Sequence, residues 1–322
     1  MVCCKQLWNC GRIIKKLCFA ILPAFLMLSL TGCSEESPLP EEPREPRAVI
    51  LPAQMLEPSA GEVYIQKSYV TIDISNTDLG YVKVRYTGSA GRVVAQIEKD
   101  GTFTFDINTH GAWEVLPLNM GDGYYTIRVL ENIEGQMFAL VVSTDVDVRL
   151  AHHTMPFLHP NQYVNFNRDS KAVALAATLA QGATSDLEVV RNIYNHVIEN
   201  IEYDYELAAA IIAGEIRSYM PDIDETLISG RGICFDYAAL MTAMLRAQMI
   251  PARLEIGYIT GGMYHAWITV YIEEEGGWIN MIRFDTGSWT IMDPTLSAGG
   301  KDGQGLADFI KDDANYWAVR IY

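Results

Sequence analysis

Long apolar runs are scarce in this chain of 322 residues. The longest, Leu17 to Leu30, is about 14 residues, too short to span a bilayer comfortably as a helix. Cations are in deficit as well, with 24 Lys and Arg against 40 Asp and Glu and a net charge of -16. That balance argues against nucleic acid as a partner and against polybasic attachment to anionic lipid. Cysteine is nearly absent beyond the first tenth of the chain. Positions 3, 4, 10, 18 and 33 hold five of the six, and Cys234 stands alone. A lone thiol cannot close an intramolecular disulfide. In an oxidising compartment it invites damage, so its presence asks for a chemical reason.

The beginning of the chain supplies that compartment. Lys5, Arg12, Lys15 and Lys16 precede the apolar run, which ends in Leu30-Thr31-Gly32-Cys33. This is a signal-peptide pattern, and its end resembles a bacterial lipobox. The expectation is removal of residues 1–32, lipid on Cys33, and a protein held on the extracytoplasmic face of a cell membrane. Residues 33–47, rich in Pro and Glu, read as a disordered tether.

Residues 48–150 read as an antiparallel, immunoglobulin-like β-sandwich of about seven strands. Short alternating segments such as Tyr81–Tyr86 and Tyr124–Leu130 are separated by turns such as Asp100-Gly101 and Glu134-Gly135. Trp113, Tyr124 and Tyr125 form an alternative, carbohydrate-binding face. In the connector that follows, His152, His153 and His159 could suggest a metal, but no cysteine accompanies them and two prolines imply an irregular loop. No metal and no cofactor is expected.

Residues 151–322 read as an α+β domain. Helices are predicted over Lys171–Ala180, from Asp186 to about Ile201 with Ser185 or Thr184 as cap, and over Glu206–Ile216. A loop is expected from Tyr219 to Gly232. Gly230-Arg231-Gly232-Ile233-Cys234 then opens a further helix, whose unpaired amides and dipole favour a thiolate on Cys234 and can hold an oxyanion. Tyr264 to Tyr271 alternates as a strand with His265 near its start, and Trp289 to Met292 is a strand ending at Asp293-Pro294. Nucleophile on a helix, base on a strand and carboxylate at a strand end form a Cys-His-Asp constellation. Asp236 is expected to cap its helix and Arg253 to form an ion pair.

Ile201-Glu202-Tyr203-Asp204, Gly232-Ile233-Cys234-Phe235-Asp236-Tyr237-Ala238, Ile250-Pro251-Ala252-Arg253, Gly257-Tyr258, His265-Ala266-Trp267 and Trp289 to Thr295 occur in that order. Together they resemble the transglutaminase-like superfamily, a relative of the papain-type cysteine enzymes. The resemblance implies Cys234 as nucleophile, His265 as base and Asp293 as orienting carboxylate, with Tyr203 near the site as an oxyanion donor. No Gln precedes Cys234 in Leu227–Ile233 to play the papain-like part. An additional segment, Gly276–Ser288, separates the His and Asp strands and makes Asp285 a rival for the carboxylate. The implied partner is a peptide or protein substrate, attacked through a thioacyl intermediate and released by water. Amine transfer and a non-catalytic binding or scaffold role are the alternatives.

Overall fold

The computed structural model describes residues 45–59, 61–274, 276–279, 282–299 and 303–322. The expected leader, the lipid site Cys33 and most of the expected tether lie outside these residues.

Turns rich in Gly, Asn and Asp cut the first half into short strands. These are β1 (Tyr64–Lys67), β2 (Val70–Asp73), β3 (Tyr81–Tyr86), β4 (Val93–Glu98), β5 (Thr102–Asp106), β6 (Trp113–Pro117), β7 (Gly123–Glu134) and β8 (Met137–Val148). Strands β1 and β2 form a tight hairpin, because the chain reverses at Lys67–Val70 with Ser68 at φ 53°. One antiparallel sheet has the order β1-β2-β3-β6 and the other β5-β4-β7-β8. Strands β2, β3 and β6 thus face β4, β5, β7 and β8 across an immunoglobulin-like sandwich, with β1 as an added edge. Val82, Val84 and Leu116 from one sheet and Ile97, Ile127 and Val129 from the other are fully buried in a common core. Trp113 and Tyr124 belong to different sheets, and Tyr125 is buried, so the three do not form one face.

Helices α1 (Lys171–Leu179) and α2 (Asp186–Asn200) follow the connector. Ser185 caps α2 by accepting from the Glu188 amide at 3.1 Å. Strand β9 (Glu202–Tyr203) leads to α3 (Tyr205–Ile212), which is shorter than predicted because the chain turns at Gly214, φ 74°. The expected loop before Cys234 contains α4 (Ile223–Ser229), capped by Asp222 and ended by Gly230 at φ 66°. Then come β10 (Arg231–Gly232), α5 (Cys234–Ala247), β11 (Ala252–Ile259) and β12 (Met263–Ile272). Strands β13 (Gly277–Ile279) and β14 (Ile282–Phe284) pair as a hairpin, and β15 (Ser288–Met292), α6 (Pro294–Gly299), α7 (Gly303–Lys311) and β16 (Tyr316–Ile321) complete the order.

Strands β15-β12-β11-β16 form an antiparallel sheet on which α5 packs. From Asp236 to Ala247 every residue of α5 is buried, which is why its sequence is apolar around nearly its whole circumference. Among the described residues no helix is long and apolar enough to cross a membrane.

Candidate active site

The site begins at a two-residue parallel pairing. Arg231 lies opposite Glu202 and Gly232 opposite Tyr203. The Tyr237 hydroxyl donates to the Ile201 carbonyl at 2.5 Å, tying the first full turn of α5 to the same segment. These bonds give a physical reason for the Ile-x-Tyr-Asp and Cys-x-x-Tyr patterns: they fix Tyr203 beside the start of α5. Asp236 accepts the Ile233 amide at 2.8 Å and the Tyr219 hydroxyl at 2.7 Å, so it is a cap, as its position predicts. Its side chain fills the space that a Gly232 side chain would need, since a Cβ there would come within 2.6 Å of the Asp236 Cβ.

Cys234 is thereby the first helical residue, partly exposed, with an amide that by position has no intrahelical acceptor. His265, near the start of β12, is in hydrogen-bonding contact with the Cys234 side chain. Its Nε2 donates to Asp293 Oδ2 at 2.7 Å. With Nε2 committed, Nδ1 is the ring nitrogen left to exchange a proton with the thiol. Burial opposes the imidazolium, but the hydrogen bonds and charges of Asp293 and Cys234 outweigh it and carry the His265 pKa up to about 10.

Asp293 follows β15 and precedes α6. Pro294 suits the first helical position, where no amide donor is needed. The carboxylate is fully buried, and its Oδ1 accepts the Leu296 amide at 3.0 Å. The rival Asp285 lies after the β13–β14 hairpin, exposed and paired with Arg283 at 2.9 Å. Cys234, His265 and Asp293 are therefore together, and Asp285 stands apart.

Tyr203 is half-buried beside the thiol. Burial and the neighbouring sulfur both keep its hydroxyl protonated, hence able to donate. Tyr264, more exposed, borders the thiol as well and is held protonated by burial, Tyr258 and Cys234. Position next to His265 was its only sequence signal. Trp267 stacks near His265 with its indole N–H on the buried Glu255 carboxylate at 3.1 Å. Tyr316 also contacts the Asp293 carboxylate. It was not read from the sequence, although Tyr316–Ile321 has the composition of a strand.

One expectation changes. Among the described residues Arg253 does not make the expected salt bridge; its guanidinium lies 3.6 Å from the Trp289 ring centroid and 4.5 Å from that of Phe157. The connector histidines part company. His152 meets Thr154 and Glu273, whereas His159 is buried against Tyr81.

No curated protein gives a significant match to the chain. Among solved structures, a candidate cysteine protease from Cytophaga hutchinsonii shares 19% identity, covering 76% of this chain and 84% of its own, with a TM-score of 0.36. A candidate protease from Parabacteroides distasonis shares 15% identity over 60% of this chain and 35% of its own, with a TM-score of 0.26. The family model of the transglutaminase-like superfamily matches residues 173–294, a span that contains Cys234, His265 and Asp293, and this part of the chain is a transglutaminase-like domain.

Proposed function

We propose that this chain is an extracytoplasmic cysteine enzyme, lipid-anchored through Cys33, that hydrolyses amide bonds of a peptide or protein substrate. The observation that carries the reading is the buried His265–Asp293 pair in contact with a thiol at a helix N-terminus. The Cys234 sulfur adds to the scissile carbonyl carbon, and its proton resides on His265. The carbonyl oxygen gains the negative charge and is received by the Cys234 amide, with the Tyr203 hydroxyl as second donor. His265 passes its proton to the departing amine, and a thioester remains on Cys234. A water molecule then gives a proton to the imidazole and attacks the thioester, releasing a carboxylic acid and restoring the thiol. Attack by an amine in place of water would make the same site a transferase. Hydrolysis is preferred because water needs no second binding site.

Rapid alkylation of Cys234 by iodoacetamide at pH 7 is expected, slowed at least about tenfold in His265→Ala. Equal, slow rates in both proteins would sink the enzyme reading and leave the binding or scaffold alternative. Incubation with a Gln-containing protein and a labelled primary amine separates the two reactions: cleavage without label supports hydrolysis, and label without cleavage overturns it. Anchoring is checked by detergent-phase partitioning, which Cys33→Ser should abolish.

A further inference from the structure

The family match ends at Pro294, but the Asp293 carboxylate is not complete within it. The Tyr316 hydroxyl, from β16, donates to Asp293 Oδ2 at 3.2 Å, the same oxygen that His265 Nε2 engages at 2.7 Å. We propose that Tyr316 is a positioning residue of the catalytic constellation: β16 supplies the donor that keeps the Asp293 carboxylate aligned with the His265 ring. The proposal rests on the cysteine-enzyme reading above.

Three features make this contact more than incidental. Asp293 is fully buried, so its oxygens have protein donors in place of water: Leu296 on Oδ1, His265 and Tyr316 on Oδ2. The Tyr316 ring cannot wander, because it is wedged between Trp267 at 5.0 Å and Phe309 at 5.9 Å between centroids. Its approach is set by backbone. Asn315 receives the Thr260 amide at 2.9 Å and donates its own side-chain amide to the Phe309 carbonyl, also at 2.9 Å, while Tyr316 pairs with Ile259. Burial and the adjacent carboxylate hold the phenol in its protonated, donating form.

Leu296 alone would leave the carboxylate free to pivot about its Oδ1 contact. A pivot lengthens the bond to His265 and weakens the imidazolium. The whole chain with Tyr316→Phe keeps the ring and loses the hydroxyl. Its alkylation by iodoacetamide at pH 7 should fall by about tenfold, in line with one lost hydrogen bond to a charged group, and the alkaline limb of its pH profile should move down. Replacement of Tyr316 by 4-aminophenylalanine, which restores a donor at the same ring position, should recover most of the rate. Tyr194→Phe is the control. Tyr194 bonds Ser297 near Asp293 but not the carboxylate itself, so loss of its hydroxyl reports a structural effect only. A Tyr316→Phe profile superimposable on wild type overturns the inference, as does one displaced upward, which would mean that the phenol competes with His265. Failure of the enzyme reading looks different: wild type itself would then react slowly and independently of His265.

Discussion

Asp293 and Asp285 are eight positions apart, and only one of them can orient His265. Asp285 keeps its solvation and pairs with Arg283 at the surface, where such a pair contributes little. Asp293 is stripped of water, so its interaction with the imidazole is made in a low-dielectric interior and is correspondingly strong. The two positions should therefore answer differently to the same chemical change. Asp293→Asn is expected to lower the alkylation rate of Cys234 by at least about 100-fold, whereas Asp285→Asn should leave it within about twofold. The reverse ranking would reassign the carboxylate. The sign of the pH dependence follows from His265. Its pKa is raised on folding, so the imidazolium's contribution to stability is fully present below about 6.5. That contribution is lost as the pH climbs through about 10.

At the scale of elements, the start of α5 depends on backbone closeness that a side chain would prevent. Gly232 pairs with Tyr203 on one side and is covered by Asp236 on the other. Gly232→Ala would press a methyl group into the Asp236 side chain, which cannot retreat without releasing the Ile233 amide and the Tyr219 hydroxyl. Overpacking of this kind costs about 2 kcal/mol. A urea titration should show that loss, together with slower alkylation because the nucleophile's own turn is displaced. Gly101→Ala, at a turn where a Cβ meets nothing within 4 Å, provides the comparison. Unchanged urea midpoints in both variants would remove the steric reading. The additional segment before Asp293 is absorbed as the β13–β14 hairpin without disturbing the pairing of β15 with β12, where Met292 sits opposite Ile268.

Across the whole molecule, the described residues form one compact unit whose main buried cluster runs from the sandwich into the helices. Arg246 of α5 is fully buried and donates to the carbonyls of His159, Ala252 and Tyr322 at 2.6–2.9 Å. At the other end of the chain, Arg47 donates to the Gln248 carbonyl and pairs with Asp186. His159 occupies the seam with both ring nitrogens buried and unpartnered among the described residues. Burial, reinforced by Arg246, lowers its pKa to about 4. A base with a lowered folded pKa binds fewer protons than the unfolded chain between about 4 and 6.5, so its contribution to stability is lost as the pH falls through that window. The loss is on the order of 3 kcal/mol. His159→Phe should remove this component, so that the stability gap between variant and wild type widens in the variant's favour from pH 7 to pH 4. A gap independent of pH in urea titrations would show that His159 is not buried neutral.

Much of the chemistry was legible because it is local. Composition isolated Cys234, two glycines and a run of apolar residues put it at a helix start, and strict alternation put His265 on a strand. Ser185 and Asp236 announced themselves as caps because a cap is a contact three residues long. The antiparallel sandwich was readable as short alternating segments, though neither its strand order nor the β1–β2 hairpin was. What the sequence could not decide depends on residues far apart in the chain. Arg253 has Glu255 within its electrostatic reach, yet it stacks on Trp289 and Phe157, because only the folded chain brings those rings over it. Two aspartates with adequate local context became one buried partner and one surface ion pair. Tyr316 reached Asp293 only when β16 joined the sheet beside β11. Periodicity specifies which elements form. Which carboxylate loses its water, and which hydroxyl replaces that water, is settled by packing.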